Sequence, residues 1–114
     1  MIDVKHTTTE DGVLVLSLNG ELKIVSAEDC KNRINTLISE AEAKKVIMDI
    51  AELEFLDSAG LAVFISAYKK MSVEDGKLAI CGLRGQPRNI FEISNMQKII
   101  DVYPTLDDAL AALA

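Results

Sequence analysis

Hydrophobic and polar positions change period several times along the chain. In GVLVLSLNG, residues 12–20, Val13, Val15 and Ser17 fall on one side of an extended segment. Leu14, Leu16 and Leu18 fall on the other, so apolar side chains point both ways. The preceding VKHTTTE alternates weakly and ends at the turn signal Glu10-Asp11-Gly12, which predicts an antiparallel hairpin. The period then lengthens. Ala27, Cys30, Ile34, Leu37, Ile38 and Ala41 recur at helical spacing, and the helix is expected to end near Ala43. Ser26, with Asp29 three residues on, is placed to cap it. KKVIMDI, residues 44–50, predicts a central strand covered on at least one side.

The next segment, FLDSAGLAVF, interrupts an apolar pattern with Asp57, Ser58 and Gly60 and then resumes it. Leu61, Phe64, Ile65, Tyr68 and Met71 give the inward stripe of a helix closed by Glu74-Asp75-Gly76. KLAICGL predicts another strand. Pro87 suits the first turn of a helix over PRNIFEIS, with Ile90, Phe91 and Ser94 inward. IIDVY predicts an edge strand ending at Pro104. Thr105 caps a last helix, with Asp107 and Asp108 in its first turn and Leu106, Leu110 and Leu113 inward. The order β-β-α-β-α-β-α-β-α predicts a single small α/β domain over residues 1–114. Its sheet is mixed but mostly parallel, with right-handed crossovers and an antiparallel member from the hairpin.

Composition narrows the partners. Twelve basic against eighteen acidic residues give a net charge of −6, which disfavours phosphate backbones and anionic membrane surfaces. The pairs Lys69-Lys70 and Arg84/Arg88 are too small to offset it, so no nucleic-acid binding is expected. No apolar run is long enough to span a bilayer and no signal-peptide core is visible near the start. The expected location is therefore the cytoplasm, without membrane insertion. Cys30 and Cys81 are isolated and read as small core residues.

Asp57 and Ser58 stand where a helix begins after a strand, the place where sites gather in parallel sheets. Either side chain can cap that helix, and Gly60 lets backbone or partner approach closely. The same free N–H groups also favour a phosphate on the hydroxyl, which would add about −1.5 to −2 charge. Ala59, Ala62, Val63 and Ser66 lie off the inward stripe, either as a docking patch or against a neighbouring helix. A catalytic serine is disfavoured. The only histidine, His6, lies in the first strand, and no G-x-S-x-G elbow surrounds Ser58. No P-loop, dinucleotide fingerprint or zinc motif occurs, and the acidic run Asp49, Glu52, Glu54, Asp57 reads as a solvated loop. No enzyme, cofactor or metal is expected.

These residues carry a resemblance to the STAS-domain family, the bacterial anti-sigma factor antagonists. Gly20-Glu21-Leu22 resembles the turn after that family's second strand. Val46-Ile47-Met48-Asp49 followed by Phe55 to Leu61 resembles its strand and Asp-Ser-x-Gly-Leu signature. Pro87, Ile90-Phe91 and Asn95-Met96 resemble its third-helix segment. The resemblance implies that Ser58 is phosphorylated by a partner that is both serine kinase and anti-sigma factor. It implies that the unphosphorylated form binds this partner and frees a sigma factor, and that a PP2C-type phosphatase restores the binding form. Asp57, Ser58, Ala59, Gly60, Ala62, Val63, Glu21 and Lys23 are then the expected partner-binding residues, on a monomer or weak dimer. The chain departs from the family at Lys23, where an acid is common, and at Ala59, where a second hydroxyl is common.

Other functions fit parts of the pattern. A subunit of a membrane lipid-transport complex or a signalling scaffold would dock the small-residue helix face permanently. A nucleotide-binding module would use the helix N-terminus alone.

Overall fold

The fold is described from a computed structural model over residues 2–113. Strand β1 (Ile2–Thr8) turns back through Gly12 into β2 (Val13–Leu22), confirming the hairpin. The chain continues as helix α1 (Ile24–Ala41), β3 (Lys45–Asp49), β4 (Leu53–Leu56), α2 (Ser58–Val73) and β5 (Lys77–Cys81). It ends with α3 (Gly85–Ile93), a short 3₁₀ turn, β6 (Asp101–Tyr103) and α4 (Leu106–Leu113). The sheet runs β1-β2-β3-β5-β6, with β4 pairing to β2 beyond β3. Among the described residues only the β1–β2 pair is antiparallel.

The opposed apolar faces of β2 are the reason for three layers. Leu14, Leu16 and Leu18 join Val46 and Met48 in the larger core, against Ile34, Ile38, Phe64 and Phe91 of α1, α2 and α3. Val13, Val15 and Ile47 face the other way, onto Ala109 and Leu113 of α4. Thus β3 is covered on both faces, not only one. Phe64 and Phe91 meet edge to face at 5.4 Å and 78°, fixing α3 against α2. Such a pair adds about 0.5–1.5 kcal/mol beyond the area it buries.

Several local expectations need correction. Helix α1 starts at Ile24, so Ser26 lies inside its first turn and its hydroxyl accepts from the Lys23 N–H at 3.3 Å. Ala41 and Ser94 are exposed, because each helix is ending as its stripe turns away from the core. Thr105 does cap α4, accepting from the Asp108 N–H at 3.1 Å.

Strand β4 is an addition to the predicted order, formed within the acidic run. Leu53 and Leu56 are buried while Glu54 is exposed. Long β2 pairs with β3 through Ser17, shifts register between Gly20 and Glu21, then pairs with β4. Gly20 takes φ +107° there, a conformation open to glycine at no steric cost. As a result Leu22 and Leu56 end side by side, and α1 and α2 leave the sheet as neighbours.

Candidate functional site

The two helix starts share one carboxylate. Asp57 is the N-cap of α2, and its Oδ1 accepts from the Gly60 N–H at 2.8 Å. Its Oδ2 accepts from the Ile24 N–H, the first residue of α1, at 2.9 Å. The α1 cap position is held by Lys23, whose side chain has no oxygen to offer. Asp57 supplies the missing acceptor from across the corner, so one side chain serves two helices.

Because Asp57 caps α2, the neighbouring Ser58 is released from that duty. Ser58 is the first residue of the helix and is exposed. The leading N–H groups of a helix lack intrahelical acceptors and carry partial positive charge, which suits an anion on this hydroxyl. The geometry therefore separates the two side chains that the sequence offered as alternative caps: Asp57 is structural and Ser58 is available.

Gly60 lets backbone approach closely, one of the two reasons expected for it. A Cβ there would stand 2.5 Å from the Leu22 carbonyl oxygen and 2.6 Å from Leu56 Cδ1. The close approach is that of the β2 and β4 ends, inside the protein, and Gly60 is buried. Val63 is likewise buried, at 2% exposure, against the larger core. Gly60 packs inside the protein, whereas Val63, although buried, also lines the groove between α1 and α2. Ala62 is exposed and Ala59 half-buried, and both line this groove of about 330 Å³ with Ile24, Ala27 and Lys31 of α1.

Glu21 and Lys23 lie on the same corner. The Lys23 ammonium is 3.3 Å from Glu21 and 5.4 Å from the centre of the Phe55 ring. Sequence reasoning missed the most exposed apolar residues here, Ile24 at 74% and Val25 at 88%. Their signal was present: two β-branched residues just before the inward stripe, facing away from it.

The acidic run divides into separate tasks. Asp49 accepts from the Ala51 N–H at 3.1 Å, Glu52 lies 3.9 Å from Arg84, and Asp57 caps. Among the described residues no three His, Cys, Asp or Glu side chains gather as metal ligands. His6 is exposed on β1. Behind the site, Gln86 of α3 makes two hydrogen bonds to the Leu56 backbone, accepting from its N–H at 2.9 Å and donating to its carbonyl at 2.8 Å. The amide thereby continues the sheet past β4 and holds the strand end that carries Asp57.

Burial pushes the Cys30 thiol up to about 11. Burial, then the neighbouring Asp49 charge, pushes Cys81 up to about 12. Both remain neutral thiols inside the core. Among the described residues no helix is long and apolar enough to cross a membrane.

Comparison with known proteins places this corner in context. The STAS domain family model matches residues 5–109. The anti-sigma F factor antagonist of Paenibacillus polymyxa is 26% identical over 112 residues, covering 98% of this chain and 93% of that protein. BtrV of Bordetella bronchiseptica, a candidate anti-sigma factor antagonist, is 30% identical over 102 residues, covering 90% of this chain and 87% of its own. The crystal structure of an anti-sigma factor antagonist from Mycobacterium paratuberculosis superposes with a TM-score of 0.88 at 29% identity, covering 99% of this chain and 94% of that one. With its β-β-α hairpin entry, its α2 capped at Asp57 and its match to the family over nearly its whole length, the chain belongs to the STAS-domain family.

Proposed function

We propose that this protein is an anti-sigma factor antagonist switched by phosphate on Ser58. In the unmodified state its α1–α2 corner binds an anti-sigma factor that is also a serine kinase, and a sigma factor is released. In the kinase step the γ-phosphoryl group of ATP moves to Ser58 Oγ. The bond to the β-phosphate oxygen breaks with its electron pair leaving on ADP, and the hydroxyl proton passes to a base of the kinase. A PP2C-type phosphatase reverses the modification by hydrolysis. The chain itself supplies no catalytic group in this scheme, and it works in the cytoplasm.

The observation that carries this reading is the division of labour at the α2 start. Asp57 caps the helix, so the exposed Ser58 hydroxyl can be modified without uncapping it. A phosphoryl group would bring about −1.5 to −2 charge into a corner that already holds Asp57 and Glu21. Beside the apolar Ile24, Val25 and Ala62, that charge opposes a desolvated interface. The names of the relatives support the class of partner.

The test is affinity capture from host lysate with wild type and Ser58→Glu as parallel baits. The retained protein is then incubated with purified wild type and ATP. Recovery by wild type alone of a serine kinase that phosphorylates Ser58 supports the reading. Recovery of the same membrane permease by both baits would replace it with a constitutive transport subunit.

A further inference from the structure

The Asp57 carboxylate does more than start α2, because its second oxygen is bound to the first N–H of α1. Lys23 cannot cap α1 with its own side chain, and its ammonium is turned toward Glu21 and Phe55. The segment Lys23–Val25 is therefore tied to α2 at Asp57. That segment carries the two large apolar side chains most exposed at this corner. We propose that Asp57 is a positioning residue for partner recognition: it holds Ile24 and Val25 beside Ser58 as apolar anchors for the anti-sigma factor, and a phosphoryl group on Ser58 undoes that hold. The inference rests on the antagonist reading given above.

Phosphate on Ser58 and the Asp57 carboxylate compete for donors. A phosphoryl group on the first residue of α2 seeks the same N–H groups that Asp57 occupies. It also stands one residue from the carboxylate with charge of the same sign. Asp57 yields most easily at Ile24, where its bond is exposed and joins separate helices, whereas the Gly60 bond is local to its own turn. Once freed, the Ile24 N–H has no replacement acceptor on Lys23. Phosphorylation thus acts at two points: it adds charge at Ser58 and loosens the apolar anchors on α1. The anti-sigma factor is the occupant because the Ile24–Val25 surface is continuous with the acceptor serine through the Asp57 bridge.

The test uses the full chain with phosphoserine installed at position 58, so that no kinase is needed. Amide exchange at Ile24 and Val25 is followed by NMR in the unmodified, phosphorylated, Asp57→Asn and Asp57→Ala forms. Phosphorylation is expected to speed exchange at Ile24 by about tenfold or more while the core amides keep their protection. Asp57→Ala should do the same without phosphate. Asp57→Asn has a single acceptor oxygen, so it should keep the Gly60 cap and still lose protection at Ile24, a selective loss that general loss of stability would not give. Binding of the captured anti-sigma factor should weaken by about tenfold or more in Ile24→Ser and in Val25→Ser. If phosphoserine abolishes binding while the Ile24 amide exchanges as in the unmodified protein, the switch stands and this inference falls. If the phosphorylated and unmodified proteins bind equally, the antagonist reading falls and takes the inference with it.

Discussion

Asp57 and Ile24 are 33 residues apart in sequence and joined by a 2.9 Å hydrogen bond from the Ile24 N–H to Oδ2. With the 2.8 Å bond to Gly60, this makes one carboxylate the cap of two helices. A cap side chain contributes about 0.5–2 kcal/mol at a single helix. Asp57→Ala is therefore expected to lower stability by about 2 kcal/mol, more than an ordinary cap deletion, with Asp57→Asn intermediate. Urea denaturation checks it: the midpoint should fall with little change in slope.

Ser58→Ala should change stability by less than about 0.5 kcal/mol, as for an exposed residue with no special contact. The comparison with Asp57→Ala in the same denaturation series separates the cap from the acceptor. A cost near that of Asp57→Ala would make Ser58 a structural residue.

Gly60→Ala should destabilise even though alanine is the better helix former by about 1 kcal/mol. The added Cβ meets the Leu22 carbonyl at 2.5 Å, and that backbone cannot swing aside as a flexible side-chain tip would. Overpacking of this kind costs about 1–3 kcal/mol. Thermal unfolding of the variant should show a lower midpoint, and a higher one would contradict the packing described at the β2 end.

Gln86→Leu removes a donor and an acceptor that together satisfy the Leu56 backbone. Leaving such groups unpaired costs about 1–3 kcal/mol each where they stay buried, less where water reaches them. Faster exchange of the Leu56 amide, with β3 and β5 amides unchanged, is the expected signature.

The raised thiols give a pH dependence. Cys30 and Cys81 shift from an ordinary 9.0 to about 11 and about 12 on folding. The folded state therefore holds these protons more tightly than the unfolded chain. Their contribution is complete below pH 9 and is lost as pH rises through 9 toward 11–12, where the unfolded chain ionises first. Stability measured across that window should fall steadily, and native protein at pH 8 should resist alkylation until it unfolds. Replacing Cys81 with alanine should flatten part of the alkaline slope.

Elements with their own periodicity were legible in the sequence: the hairpin, the α1 stripe, the central strand and the Thr105-capped α4. So was the importance of the Asp57-Ser58 break. What was not legible depends on contacts distant in sequence. The α1 start was misread because its cap oxygen comes from Asp57, and Ser26 offered a plausible local substitute. Strand β4 was hidden because four residues within an acidic run give too short an alternation, and its pairing depends on where β2 bends. Whether Gly60 met backbone or a partner, and whether Val63 faced a partner or a neighbouring helix, stayed open because helical spacing cannot tell an outward face from one packed on α1 and the strand ends. The task of Gln86 has no local sequence signal at all.

In the proposed switch, phosphate on Ser58 abolishes partner binding. Its most direct measurement is the affinity of the captured anti-sigma factor kinase for this protein unmodified, phosphorylated at Ser58, and as Ser58→Ala, with and without ATP. Tight binding of the unmodified form, lost after ATP treatment, is expected. The phosphorylated form should not bind, and ATP should not release Ser58→Ala. Equal affinity of the phosphorylated and unmodified proteins would contradict the switch.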